Sequence, residues 1–357
     1  MSRITNLPTI IKEIIFFPDF KSASFNYLKK LPILAWICFL TTALIIANSS
    51  QTSIDILSYL DYFEGTRIIN YASWWAYFID EPVWRIYTFF MGSLFDSGYA
   101  YLLTLFISIV AFLSFGSILG RGGWILVFFA FLFDSTLATQ MYYNQIRQGF
   151  ALSTFMLTLV IGGGPVLGSI IAATIHSSFL AVLPCTVLAT LFHRKSFAFF
   201  STSVFFGCII LLVIAYLFDI KSYLELGRRS ETYEFAGILN RNYYLVALIQ
   251  YGATFYLIKS SFTNDLDKWW FYMAFSFTTT ALSVTLFYEA GGRLMYFASA
   301  FVTIALAQNI KKKRVVMASI FWFSIMILVQ IYTDYKTSFD YETWFGRWML
   351  ILSSLGY

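Results

Sequence analysis

Long runs of apolar residues recur along this chain, and the polar residues are concentrated in the short stretches between them. Most runs approach the length of about 20 residues that a membrane-crossing helix needs. The pattern predicts an all-α fold, a polytopic membrane helical bundle with about 10–11 transmembrane helices. The apolar runs cover residues 31–48, 83–95, 98–118, 123–140, 149–163, 166–191, 197–218, 243–259, 269–288, 294–309 and 315–333.

The composition supports the same class of protein. Of the 357 residues, 59% are hydrophobic and 12% are charged, whereas soluble domains carry about 25% charged residues. The net charge of +5 lies mostly in segments that flank the apolar runs, which favours membrane orientation over nucleic-acid binding. The three cysteines lie inside apolar runs without paired spacing, so we expect neither disulfides nor metal ligation.

The chain reads as one membrane domain with short appendages. Residues 1–30 form a basic arm that we expect on the cytoplasmic side, and residues 31–333 form the single transmembrane domain. An acidic segment near 49–81 is predicted to be extracytoplasmic, and a second hydrophilic loop lies near 219–242. The tail, residues 334–357, is more typical of an interfacial segment than of a span.

Basic clusters predict the orientation of the bundle. By the positive-inside rule the basic arm, His193–Lys195 and Lys311–Arg314 should be cytoplasmic. The 83–95 run is too short for a comfortable crossing at about 1.5 Å per residue. If it does not cross, Arg147 moves to the outer mouth of its helix, and a second segment before Lys311 must also fail to cross. We expect this arrangement, because the chemistry inferred below requires it.

Polar clusters beside the apolar runs are the candidate functional sites, because charges in or near a membrane span are costly. Asn144, Gln145, Arg147 and Gln148 precede the 149–163 run. An interfacial arginine that extends to lipid headgroups is the alternative, but the neighbouring amides supply more hydrogen-bonding capacity than that role needs. The short Gly162–Pro165 turn should pack this helix against the next one.

His176 lies inside the next run, about 14 Å along the predicted helix and therefore near mid-membrane. A histidine that satisfies a structural hydrogen bond is the alternative there. Glu81 precedes Pro82 at the start of the 83–95 run, so it could be a helix cap or a carboxylate available as a base. Asp55 and Tyr59 lie upstream in an acidic, tyrosine-rich stretch.

A further cluster opens the run at 294–309. Glu289 and Arg293 bracket two glycines and are followed by Tyr296; the pair could equally be a routine i, i+4 ion pair. Arg241, at the end of the hydrophilic loop, is most easily explained as solvated charge. The sequence carries no zinc-ligand pattern, no P-loop and no dinucleotide fingerprint, so we predict no metal and no cofactor.

Five motifs in order resemble the EpsG-like, Wzy-type polysaccharide polymerases. NQIRQGFALSTFMLTL and IIAATIHSSFLAVLPCTVLATLF are similar to that family's Arg-Gln-x-hydrophobic-Ala and His-x-Ser signatures. Asp55 with Tyr59, Glu81-Pro82 and GGRLMYF lie where the family has its Asp-x-x-x-Tyr, Glu-Pro and Arg-x-x-Tyr-Phe elements.

The resemblance implies a multi-pass enzyme of the bacterial inner membrane. It would join undecaprenyl-pyrophosphate-linked oligosaccharide units into O-antigen, capsule or exopolysaccharide, in contact with membrane lipids and alongside a flippase and a chain-length regulator. No nucleic acid is involved.

The inferred reaction assigns roles to these residues. A pyrophosphate leaving group calls for guanidinium partners, for which Arg147, Arg293 and Arg241 are the candidates. The attacking hydroxyl needs a base, for which Glu81, Asp55 and His176 are the candidates. Tyr143, Gln148 and Tyr296 are further candidates for substrate contacts.

Other functions remain open at this point. A lipid-linked oligosaccharide flippase or transporter would also need intramembrane cations, although we find no internal repeat of the kind many transporters show. An O-antigen ligase differs from a polymerase only in its acceptor. A membrane O-acyltransferase would also use a buried histidine, and a purely structural subunit would leave the polar clusters unexplained.

Overall fold

The computed structural model describes most of the apolar chain. It covers residues 29–49, 56–65, 81–134, 136–217, 241–262, 264–285 and 290–336, together with residues 27, 346, 348, 349 and 353. Every regular element in this part of the chain is helical, so the predicted all-α class is confirmed there.

Thirteen α-helices, one π-helix and one 3₁₀-helix make up the described fold. In chain order they are α1 (Ile33–Ser49), α2 (Ile56–Phe63), α3 (Pro82–Leu94), α4 (Ser97–Leu119), α5 (Trp124–Phe133), the π-helix (Thr136–Asn144), α6 (Ile146–Val160), α7 (Pro165–Ile175), the 3₁₀-helix (Ser177–Ala181), α8 (Val182–Phe192), α9 (Phe197–Leu217), α10 (Arg241–Ile258), α11 (Asp265–Thr285), α12 (Ala290–Gln308) and α13 (Lys313–Lys336).

Two of these helices, Ser97–Leu119 and the Lys313–Tyr332 part of α13, are both long and apolar enough to cross a membrane unaided, and eight further stretches of described helix are apolar but shorter. Large apolar side chains such as Ile33, Phe206 and Ile320 are exposed on the outside of the bundle. Both features are consistent with a membrane protein, because lipid rather than water would cover such a surface.

Packing centres on two groups of helices. α4 lies against α1, α5 and α6, and α6 packs in turn on α7. α11 packs on α12, α8 and α9, and α10 packs on α13. Aromatic side chains fill the interior between them, including the fully buried Trp84, Trp269, Trp270 and Phe155.

Several loops meet at one end of the bundle, which we call the basic end. Arg121, after α4, pairs with Asp267 at 3.0 Å, and Arg194, after α8, approaches Asp265 at 3.4 Å. Lys312, after α12, donates to the carbonyl of Ser261. The segments that follow α4 and α8 thus contact the start of α11, and the segment that follows α12 contacts the one that follows α10. The opposite end, where α4, α6 and α12 begin, is called the site end.

The run at 166–191 is not the single helix that the hydropathy pattern predicted. α7 ends at Ile175, His176 has an extended backbone with φ −146° and ψ 119°, and the chain continues through the 3₁₀-helix into α8. Ser169 Oγ donates to Thr186 Oγ1 at 3.3 Å, so α7 and α8 run back along each other. The segment is a helical hairpin whose tip carries His176 and whose two ends both face the basic end.

The run at 123–140 is also divided. α5 ends at Phe133, and a π-helix follows from Thr136 to Asn144. Gly149 of α6 lies against the ring of Tyr142, where an added Cβ would be 2.5 Å from a ring carbon. The Tyr142 hydroxyl is 3.0 Å from Ser153 Oγ, which donates to the carbonyl of Ser108 at 2.8 Å. The π-helix is therefore fixed against both α6 and α4.

Candidate functional site

Glu81 occupies the position just before α3, and its backbone is unusual. With φ 60° and ψ 60° it lies in the left-handed region, which non-glycine residues seldom adopt and which costs roughly 1–3 kcal/mol. Its side chain does not cap α3. The carboxylate instead points into the bundle and is 2% exposed.

Arg147 meets this carboxylate from the first turn of α6. Its Nη1 donates to Glu81 Oε2 and, at 3.2 Å, to the hydroxyl of Tyr62. The guanidinium also lies 5.2 Å from the ring centre of Tyr62 and 5.8 Å from that of Tyr59. Two tyrosine faces and one carboxylate thus hold a guanidinium that is only 20% exposed.

His176 completes the cluster from the tip of the α7–α8 hairpin. Its Nδ1 accepts the backbone N–H of Ser178 at 3.2 Å, so the neutral ring carries its proton on Nε2. Nε2 lies 3.8 Å from Glu81 Oε1. The same oxygen accepts the backbone N–H of Ser177 at 3.2 Å. The helix break at His176 therefore exposes a backbone donor and directs an imidazole at one carboxylate.

Two neighbouring residues in α6 carry buried polar atoms that find no hydrogen-bond partner in the described part of the protein. They are Nε of Arg147 and both amide atoms of Gln148, whose side chain is fully buried. Buried polar groups are nearly always paired, so unpaired ones need an explanation such as a bound ligand or ion. An anionic ligand would accept from Arg147 Nε and Gln148 Nε2, and a ligand hydroxyl would donate to Gln148 Oε1.

Comparison with known proteins identifies the family. The EpsG family model matches residues 33–346 of the chain. The chain belongs to the EpsG family. The match covers most of the chain and agrees with the family to which the sequence motifs point. No curated protein and no solved structure matches the chain with significant similarity.

Membership of the EpsG family suggests a polysaccharide polymerase-like, and so glycosyltransferase-like, function. Of the residues that the motifs singled out, the structure brings together Glu81, Arg147 and His176, although they come from three separate elements. The family motifs around Glu81-Pro82, Arg-Gln and His-x-Ser thus converge at one place in the fold.

The other predicted site residues of this EpsG-family protein are placed less fully. Asp55 lies outside the described residues. Arg241 begins α10, Arg293 lies in the first turn of α12, and Tyr143 lies in the π-helix, but only the backbone of these three is described. Tyr296 is half-buried on α12. Both arginines are at the ends of their helices opposite the basic end.

Tyr62, the Ser177 N–H and Asp134 were not among the predicted site residues. Tyr59 and Tyr62 are three residues apart and share one face of α2, a spacing that is visible in the sequence. Asp134 lies in a long apolar run, where a single acid is itself a signal. In the part of the chain described, no group of three or more His, Cys, Asp and Glu side chains has the arrangement of a metal site.

Proposed function

We propose that this EpsG-family protein is a Wzy-type polymerase. It would transfer an oligosaccharide from undecaprenyl pyrophosphate to the non-reducing end of another lipid-linked unit. The observation that carries the proposal is the buried Glu81–Arg147–His176 cluster. Polar atoms beside it have no partner among the described residues, and the bundle around it has a surface suited to lipid.

The orientation of the bundle supports the proposal. The basic end carries Lys195, Lys311 and Arg314, so the positive-inside rule assigns it to the cytoplasm and the site end to the outside. α3 has 13 residues and spans about 20 Å, and its side chains Ile86 and Phe89 are exposed as they would be to lipid. We therefore treat α3 as non-crossing.

The α7–α8 hairpin is then the second segment that does not cross. It enters from the basic end and returns to it, which restores Lys311–Arg314 to the cytoplasmic side. Arg147, Arg241 and Arg293 all come to the outer side, where polymerisation of a translocated glycan would take place. A hairpin in place of the single crossing that hydropathy predicts would remove the conflict between the positive-inside rule and the side of the membrane that the chemistry requires.

The mechanism assigns the base to Glu81. The acceptor sugar hydroxyl forms a new C–O bond to the anomeric carbon of the donor, while the bond from that carbon to the pyrophosphate oxygen breaks. The hydroxyl proton passes to the Glu81 carboxylate, and the lipid pyrophosphate leaves as an anion. Asp55 remains a second candidate for this base.

Arg147 links donor binding to the base. In the structure its guanidinium is paired with Glu81; an incoming pyrophosphate, with more negative charge, would compete for that guanidinium and release the carboxylate. Arg241 and Arg293 would supply further positive charge to the leaving group. His176 has its proton directed at Glu81, so we assign it the role of orienting the carboxylate.

Deletion of the gene, followed by gel analysis of surface glycan, tests the proposal. A polymerase mutant should show single repeat units in place of the long polymer, and Arg147→Ala should reproduce this pattern while Arg194→Ala, an exposed arginine at the basic end, restores long chains. Loss of all surface glycan with lipid-linked units trapped in the cytoplasmic leaflet would indicate a flippase instead. Accumulation of finished lipid-linked polymer would indicate a ligase.

Labelling of single cysteines tests the orientation separately. In a background without Cys38, Cys185 and Cys208, the variants Ile161→Cys and Lys195→Cys should react only from the cytoplasm and Gln145→Cys only from outside. Labelling of positions 161 and 195 from opposite sides would contradict the hairpin and the proposed sidedness together.

A further inference from the structure

A second buried polar cluster lies apart from the Glu81 site. The Ser299 hydroxyl donates to Asp134 Oδ2, and the Tyr251 hydroxyl forms a hydrogen bond with Ser299 and interacts electrostatically with the Asp134 carboxylate. All three residues are buried, with exposed fractions of 5% for Asp134, 2% for Ser299 and 6% for Tyr251. An acid inside an apolar bundle is expensive and is usually retained for a function. We call these three residues the Asp134 node.

Asp134 sits where α5 changes into the π-helix. Its N–H donates to the carbonyl of Ala130 at 2.8 Å, and its own carbonyl accepts the N–H of Leu137 at 3.0 Å. The π-helix that starts here ends at Asn144, and Arg147 follows in the first turn of α6. π-helices are rare and occur frequently at functional sites. The position of Asp134 therefore affects where α6 begins.

The other two members of the node stand on the helices that carry the remaining candidate arginines. Ser299 is six residues after Arg293 on α12, a distance of about 9 Å along the axis at 1.5 Å per residue. Tyr251 is ten residues after Arg241 on α10, or about 15 Å. The node thus connects the helices that bear Arg241 and Arg293 to the junction between α5 and the π-helix, and the π-helix leads on to α6 and Arg147.

We propose that the Asp134 node is a positioning device that sets the spacing of the three arginines at the site end. A hydrogen-bonded chain of one buried carboxylate and two hydroxyls fixes relative helix positions more strictly than apolar contacts do. A pyrophosphate held by several guanidiniums requires such a fixed spacing. This inference rests on the proposed function only for the identity of the ligand.

Steady-state kinetics with a purified lipid-linked donor provide the first test. Asp134→Asn and Ser299→Ala should each raise the KM for the donor about tenfold, the effect expected for a weakened charge-assisted contact, and leave kcat within about threefold. The matched control is Thr303→Ala. Thr303 lies one turn from Ser299 on α12, is equally buried, and its hydroxyl has no hydrogen-bond partner in the described part of the chain. An equal effect of Thr303→Ala would overturn the inference.

A distance measurement separates this inference from the proposed function. Spin labels at Gln145→Cys and Leu245→Cys, in the cysteine-free background, report the position of α6 relative to α10. We expect a narrow distance distribution for the parent, a broadened or shifted one for Asp134→Asn, and no change for Thr303→Ala. Unchanged distances in Asp134→Asn would refute the positioning role even if the enzyme polymerises glycan. If Asp134→Asn changes the distances but the parent protein does not bind undecaprenyl pyrophosphate, the positioning role stands and the proposed function is refuted.

Discussion

Two buried arginine–carboxylate pairs lie at opposite ends of the molecule and share two features. In Arg147–Glu81 the side chains are 20% and 2% exposed, and in Arg121–Asp267 they are 25% and 2% exposed. Each pair contains a residue with positive φ, Glu81 at 60° and Arg121 at 53°. Burial and backbone strain alone therefore do not distinguish a structural ion pair from a reactive one.

The surroundings of the two pairs differ. Arg121 and Asp267 are joined by Asn264, whose side chain accepts from Arg121 at 3.3 Å and from the Asp267 N–H at 2.8 Å. These contacts hold the segment after α4 against the start of α11. Around Arg147 and Glu81 there are instead an imidazole, two tyrosines and a backbone N–H. Such a group can exchange a proton or a partner, so we expect the two pairs to respond differently to mutation.

The largest expected effect is on activity at the site end. Glu81→Gln keeps the size of the side chain but removes its ability to accept a proton, so polymer formation should fall by about 100-fold or more. The measurement is polymer formed per folded molecule, with folded protein quantified by size-exclusion chromatography. Activity near that of the parent would exclude Glu81 as the base and return attention to Asp55.

The corresponding change at the basic end should affect stability instead. Asp267→Asn leaves the Arg121 charge, which is 25% exposed, without its carboxylate, and solvent screening should keep the cost below the value of about 3–5 kcal/mol that is typical of a fully buried pair. Thermal unfolding in detergent should show this loss, while polymer formed per folded molecule stays within about twofold of the parent. A specific loss of activity would mean that the two ends are not functionally distinct.

A smaller effect is expected where the π-helix meets α6. Gly149→Ala would press a methyl group against the Tyr142 ring, and overpacking of this kind costs about 1–3 kcal/mol. Gly207→Ala is the matched control, because no atom lies within 4 Å of the added carbon there. We expect a lower melting temperature for the first variant and no decrease for the second; equal melting temperatures would show that Tyr142 moves aside freely.

The smallest effect should come from Tyr62→Phe. This change removes the 3.2 Å hydrogen bond to Arg147 but retains the ring face beside the guanidinium. We expect a threefold to tenfold decrease in donor affinity, about the net value of one ordinary hydrogen bond, because Arg147 keeps its other contacts. Tyr256→Phe, at an exposed tyrosine of α10, should leave affinity unchanged. No decrease for Tyr62→Phe would mean that the aromatic face alone holds Arg147.

The sequence was sufficient to predict the all-α class and to single out three residues that the structure brings together. Glu81, Arg147 and His176 could be found because a charged or titratable group is costly beside apolar runs, whichever way the chain folds. Their direct contact could not be predicted, since it depends on the break at His176. A hydropathy average measures the preference of a segment for lipid and carries no information about whether the backbone reverses within it. An apolar run that forms a hairpin therefore has the same hydropathy as one that forms a single helix.

Asp134 and Tyr62 illustrate a second limit. One acid among many apolar residues barely changes a window average, and an aromatic side chain is unremarkable in a chain with 21% aromatic residues. Their importance comes from the partners that the fold supplies, Ser299 for Asp134 and Arg147 for Tyr62. Neither partner is near in sequence.

The α7–α8 hairpin has a consequence for how the chain is made. α7 and α8 have 11 residues each, too few for either to cross a bilayer by itself. In the proposed orientation the two halves would have to enter the membrane as a pair, and α6 would offer α7 a surface to pack on. A substitution that weakened the packing of α7 on α8 or on α6 would then be expected to affect membrane integration as well as the position of His176.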